Sequence, residues 1–174
     1  MPAARFVEQL NAQIGNELAA HNQYLACAVY YDALTMPRMA ALFYGQALEE
    51  RDHAMMMIQY LLDTDSDVVI PAVEAANNTF ADLVGPVALA LAQEKRVTEQ
   101  INGLLRSARE ESDFASEQFM QWFIKEQVEE VAKMGDLLAV VTRNRDDIED
   151  IEEYVAREQN GEGADSSAPR KAGA

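Results

Sequence analysis

The stretch Phe43-Tyr44-Gly45-Gln46-Ala47-Leu48-Glu49-Glu50-Arg51-Asp52-His53-Ala54-Met55-Met56-Met57-Ile58-Gln59-Tyr60 decides the fold. Phe43, Gln46, Glu50, His53, Met57 and Tyr60 recur every three or four residues, the period of one face of an α-helix. That face is apolar at both ends and ionisable in the middle. Met36-Pro37 stands before it; proline stops a running helix yet suits the first turn of a new one. The turn-rich Thr64-Asp65-Ser66-Asp67 follows, so the pattern predicts a helix over 37–63.

Three further long segments carry the same period. The first spans about 5–34, with Phe6, Leu10, Ile14, Glu17, His21, Tyr24, Ala28 and Tyr31 in line. Another spans about 83–111, with Val87, Leu91, Glu94, Thr98, Ile101 and Leu105 inward. After a cap at Ser112-Asp113, the last runs to about 142 with Phe119, Phe123, Glu126, Gln127, Glu130, Met134, Leu137 and Val141. A short fifth helix follows Asn144, with Ile148, Ile151 and Val155 on one side. Between the second and third helices, Val68-Val69-Ile70-Pro71 reads as extended chain. That connection, reaching about Asp82, exceeds most loops inside a compact domain and suits a crossover joining two parallel helices. Four helices of roughly 27 to 30 residues each span about 40 to 45 Å. The expectation is an all-α, up-down-down-up four-helix bundle with a long crossover and a short C-terminal helix.

A chain of 174 residues fits one domain with a substantial core. The folded unit is expected over 1–158. Residues 159–174, rich in glycine, serine and alanine, are expected to stay disordered. Lys and Arg number 14 against 30 Asp and Glu, a formal charge of -16. Such a surface repels phosphate-rich partners, which excludes nucleic acid as a partner, and attracts cations. Cys27, the sole cysteine, forms no intrachain disulfide and sits among Ala26, Ala28 and Val29 as a core residue. No signal peptide and no apolar run long enough for a membrane span are visible, so a cytoplasmic protein is expected.

The informative residues are the carboxylates standing inside the apolar stripes. Glu17, Glu50, Glu94 and Glu130 each lie near the middle of a helix, between apolar neighbours. Burying unpartnered carboxylates costs several kcal/mol each, and a cluster of them repels itself. A bound cation removes both penalties. Glu50 and His53 stand at i and i+3 on one face, and Gln127 and Glu130 repeat that spacing on the fourth helix. Di-iron carboxylate bundles use a Glu from each of two helices and Glu-x-x-His pairs from the other two. Here one pair is Gln-x-x-Glu, so the two metal positions should be unequal. A lone Glu-x-x-His carries little weight, and Glu17 or Glu94 alone would more often be solvated. The weight lies in four mid-helix coincidences in correct phase.

At these residues the chain resembles the bacterial non-haem ferritins, over about 6–157. The resemblance rests on Asn16-Glu17-Leu18, Glu49-Glu50-Arg51-Asp52-His53, Gln93-Glu94 and Gln121-Trp122-Phe123-Ile124-Lys125-Glu126-Gln127-Val128-Glu129-Glu130. It implies one iron held by Glu17, Glu50 and His53, and a second by Glu50 and Glu94 with Gln127 or Glu130. It matches Glu49, Glu126 and Glu129, with Glu130 shared, to a third, outer iron site. It sets Tyr24 and Trp122 beside the centre. The implied catalytic set is Glu17, Tyr24, Glu50, His53, Glu94 and Glu130. Bacterioferritins carry a second Glu-x-x-His and a haem-ligating methionine after the first motif's Glu. Here Arg51 stands at the latter position, so haem is not expected. Rubrerythrins need more cysteines than this chain has. The resemblance further implies a homo-oligomeric, hollow 24-subunit shell, with acidic three-fold channels near the start of the fourth helix. Glu117 stands there, with apolar Met120 one turn on.

The implied activity is ferroxidase chemistry and iron storage: Fe(II) oxidised by O₂ or peroxide, then stored as ferric oxyhydroxide. Two rivals carry different expectations. A DNA-protecting mini-ferritin would place its ligands on the first two helices and leave Glu94 and Glu130 without a role. A non-catalytic helical scaffold would hold no central carboxylates, or would pair them with Lys or Arg.

Overall fold

Helix α1 (Ala4–Ala33) ends where Thr35 turns left-handed at φ 60° and the Met36 N–H reaches back to the Tyr31 carbonyl at 3.0 Å. Helix α2 (Pro37–Asp63) ends the same way, with Asp65 at φ 52° and Ser66 N–H donating to Leu61 at 2.9 Å. So does α3 (Val84–Glu110), with Ser112 at φ 56° and Asp113 N–H donating to Ala108 at 2.8 Å. This six-to-one closure satisfies carbonyls that a helix end leaves orphaned. None of these left-handed positions is glycine. The computed structural model describes residues 1–158 and 165–173. Helices α4 (Phe114–Arg143) and α5 (Ile148–Glu158) complete the elements, and no strand occurs among the described residues.

Side-chain carboxylates hold the starts of helices, α4 and α2 among them. Asp113 accepts from Ser116 N–H at 3.1 Å, and it also receives the Ala3 N–H at 2.9 Å, which ties the two chain entries together. Glu152 of α5 accepts from the Arg38 and Met39 N–H groups, each at 2.9 Å, placing negative charge on the N-terminus of α2.

The apolar core comes in two halves. Phe6 and Leu10 from the start of α1 meet Met57 and Leu61 from the end of α2. Ile101 and Leu104 from the end of α3 join them, with Met120 and Phe123 from the start of α4. The other half joins Tyr24 and Tyr31, Met39 and Phe43, Val87 and Ala90, and Met134, Leu137 and Val141, and α5 covers it with Ile151 and Val155. Starts of α1 and α4 therefore share an end with finishes of α2 and α3, which is the up-down-down-up order. Between the halves lies a polar belt of Gln13, Glu17, Gln46, Glu50, His53, Glu94, Gln127 and Glu130, all buried.

The crossover is clamped along α1 by two amides. Asn11 Nδ2 donates to the Asp67 carbonyl at 2.9 Å while its Oδ1 accepts from Val69 N–H at 2.7 Å. Gln23 does the same to Asn77, donating at 3.0 Å and accepting at 2.8 Å. Between them Pro71 presses on Gly15, where a Cβ would stand 2.6 Å from the proline Cγ.

One sequence expectation shifts. On α3 the buried face carries Ala90, Gln93, Val97 and Leu104, while Leu91, Thr98 and Leu105 are only half-buried. The expected disordered tail falls partly on 159–164 and 174, outside the described residues. Residues 165–173, by contrast, lie on the bundle. Trp122 Nε1 donates to Asp165 at 3.1 Å, Ala172 N–H to the Met55 carbonyl at 3.1 Å, and Lys171 pairs with Asp52 at 2.8 Å. Glu117, expected beside a channel, is held by Arg109 at 2.7 Å, and Met120 is fully buried in the core. Among the described residues no helix is long and apolar enough to cross a membrane.

Candidate metal centre

The belt takes one to three side chains from each of the four long helices. Glu17, Glu50, His53, Glu94, Gln127 and Glu130 are each at most 5% exposed. Ligand atoms of Glu17, Glu50 and His53 lie within 4.8 Å of one another, close enough to share a cation. His53 Nδ1 stands 3.5 Å from Glu50 Oε2, too far for a hydrogen bond. Glu17 Oε2 and Glu50 Oε2 are buried and without a hydrogen-bond partner. Unpaired buried carboxylate oxygens are costly, and a hard cation is the partner their chemistry fits.

Neutral donors hold the outer carboxylates. Gln13 Nε2 donates to Glu17 Oε1 at 2.8 Å, and Gln46 Nε2 to Glu130 Oε2 at 2.7 Å. Tyr24 donates its hydroxyl to Glu94 Oε1, and Gln127 Nε2 lies 3.3 Å from Glu94 Oε2. Gln127 Oε1 in turn accepts from the Thr98 hydroxyl at 2.9 Å.

Burial pushes the Glu17 and Glu50 carboxyls well above the ordinary carboxylate range; repulsion from Glu50 adds to it for Glu17, and repulsion from Glu94, Glu130 and Glu49 adds to it for Glu50, with Glu17 opposing. Glu94 is raised mainly by burial, with Tyr24 and Gln127 opposing. Burial takes Glu130 up to about 8, opposed by the Lys133 ammonium one turn along α4. The Tyr24 phenol is also raised well above its usual range, by burial and then by Glu94. No Lys or Arg is buried among the described residues, so the belt holds no lysine or arginine. The scaffold rival expected such pairing.

The remaining sequence candidates sit to one side. Glu49 is half-buried with Oε2 unpartnered, Glu126 is half-buried and raised by burial, and Glu129 is exposed with Lys125 at 3.7 Å. They join no tight ligand group among the described residues. Trp122 and Phe123 meet the His53 ring edge-on at 5.6 and 5.7 Å, fixing its orientation. His21, in the sequence stripe, lies apart from the group and bonds the Ala47 carbonyl instead. Gln13, Gln46 and Thr98 were not among the sequence's candidates for the centre. The available signal was spacing: Gln13 stands four residues before Glu17, and Gln46 four before Glu50.

Comparison with known proteins identifies the family. Residues 7–144 match the family model of the ferritin-like domain. The chain is 50% identical over 169 residues to ferritin BfrB of Mycolicibacterium smegmatis, covering 97% of this chain and 93% of that one. It is 33% identical over 147 residues to a bacterial non-heme ferritin of Staphylococcus aureus, covering 84% and 89%. An open pore ferritin from the archaeon Archaeoglobus fulgidus superimposes with a TM-score of 0.85 at 28% identity, over 92% of this chain and 99% of that one. The chain belongs to the ferritin family, an iron-storage class built on the four-helix bundle.

Proposed function

We propose that the chain is an iron-storage subunit with ferroxidase activity, in which Fe(II) is the substrate of the buried belt. Glu17, Glu50 and His53 would hold one iron. Glu50 and Glu94 would hold the second, completed by Gln127 or Glu130. Each Fe(II) gives an electron to O₂ or peroxide, and hydrolysis of the Fe(III) yields ferric oxyhydroxide and protons. The protein supplies the geometry, a negative field for cations and a hydrophobic surround. Glu49, Glu126 and Glu129 would form an outer station for iron between the belt and the inner wall. Assembly into a hollow 24-subunit shell and a cytoplasmic location belong to the same reading.

The single observation behind it is the pair of unpartnered buried oxygens on Glu17 and Glu50, beside His53 and with no lysine or arginine buried among the described residues. That Glu94 and Glu130 enter the same belt from α3 and α4 weighs against a mini-ferritin, whose ligands would come from the first two helices. Replacing Glu50 and His53 together with Ala should abolish rapid Fe(II) oxidation while circular dichroism keeps its helical signal. An unchanged oxidation rate in that variant would sink the assignment. Light scattering after size exclusion tests the shell, and a monomer or dimer there would refute it.

A further inference from the structure

Thr98 Oγ1 lies 2.9 Å from the Glu94 backbone carbonyl and 2.9 Å from Gln127 Oε1. Both neighbours are acceptors, but a hydroxyl carries one hydrogen, so only one is served at a time. On its other side, Gln127 Nε2 sits 3.3 Å from Glu94 Oε2, long for a bond to a carboxylate. The Gln127 carboxamide is thus held loosely at both ends.

We propose that Thr98 is a positioning residue that lets the Gln127 carboxamide turn over between two hydrogen-bonded states. In the first its N–H faces Glu94; in the second its carbonyl oxygen is offered to a divalent cation beside Glu94. This rests on the two-cation reading of the belt.

Turning the amide over resolves the conflict at Thr98. Gln127 Nε2 then donates to Oγ1, and the Thr98 hydrogen goes wholly to the Glu94 carbonyl. The two ends of a carboxamide have nearly the same shape, so buried Gln127 needs no repacking to exchange them. What opposes the turn is the approach of Oε1 to Glu94 Oε2, two oxygens without a hydrogen between them. A hard cation placed there converts that repulsion into two ligand bonds. The cation-free state therefore keeps N–H toward Glu94, and the loaded state presents the oxygen. A residue at 98 without a hydroxyl would leave the turned N–H buried and unpaired.

The test uses the full chain, freed of metal, titrated anaerobically with Co(II) and followed by its visible absorbance. Thr98→Val should weaken the second Co(II) step about 10–100-fold, with the first step unchanged. Thr98→Ser keeps the hydroxyl and should restore the wild-type second step. Thr98→Ala, which adds no branched methyl, carries the same expectation as Thr98→Val and serves if valine packs poorly. A wild-type second step in both hydroxyl-free variants, or its equal loss in Thr98→Ser, overturns the inference and leaves the two-cation reading standing. Uptake of a single Co(II) per wild-type chain removes both.

Discussion

Gln46 of α2 reaches across the bundle to Glu130 of α4, its Nε2 donating to Oε2 over 2.7 Å. The bond fixes one oxygen of a carboxylate buried in the belt. Gln46→Leu removes the donor at similar volume. Anaerobic Fe(II) titration should then show the second binding step weakened about tenfold, with the first little changed. Matching isotherms in variant and wild type would deny Gln46 this role.

The belt favours cation binding at the expense of the empty protein. Glu50 is buried with one oxygen unpaired and other acids around it. Glu50→Gln should therefore raise the stability of the metal-free protein at pH 8 by about 1–3 kcal/mol, while rapid Fe(II) oxidation is lost. Thermal melts and an oxidation assay on the same sample check both halves. A variant that melts lower than wild type contradicts the first.

Stability should also fall as pH rises. Glu130 ionises at about 8 in the fold against an ordinary 4.5, so the fold favours its protonated form. That contribution is present in full below 4.5 and is lost as pH climbs through 8. Glu17 and Glu50 are displaced in the same direction and add to it. Asp113, which is displaced downward, acts below its ordinary 3.8 and does not offset the trend. Metal-free melting temperature should drop between pH 5 and pH 8, and Co(II) affinity should rise over the same interval as protons leave. A metal-free Tm that is flat or rising there contradicts the burial of these acids.

The left-handed helix ends offer an independent check on the fold. Thr35 is β-branched and sits at φ 60°, a conformation that costs a non-glycine residue roughly 1–2 kcal/mol. Thr35→Gly should stabilise the chain by about 1 kcal/mol after glycine's greater unfolded freedom is counted. Denaturant melts measure it, and a loss of stability would mean that the α1 terminus closes differently.

Helix limits were legible because Met36-Pro37, Thr64-Asp65 and Ser112-Asp113 interrupt otherwise unbroken periodicity. The belt was legible because Glu17, Glu50, Glu94 and Glu130 interrupt apolar stripes at one height. The phase of α3 was not, since Ala90 and Gln93 carry little or no apolar weight beside Leu91 and Leu105, which draw the eye to the neighbouring face. Nor was the docking of residues 165–173. Their composition is that of a loose tail, and only in three dimensions do Asp165 and Lys171 meet Trp122 and Asp52. His21 shares a stripe with Glu17, yet four residues advance a helix by more than a full turn, which carries it toward the rim.

The contact between Gly15 and Pro71 has a consequence for how such a chain can change. Glu17 projects from the same turn of α1 that the crossover rests upon, so the connecting segment and the acid share a foundation. Lengthening the segment beyond Asn77, past the second amide clamp, leaves that footing alone. A bulkier residue at position 15 would prise the segment away and disturb the turn that aims Glu17. Variation in this connection is therefore closed beneath the proline.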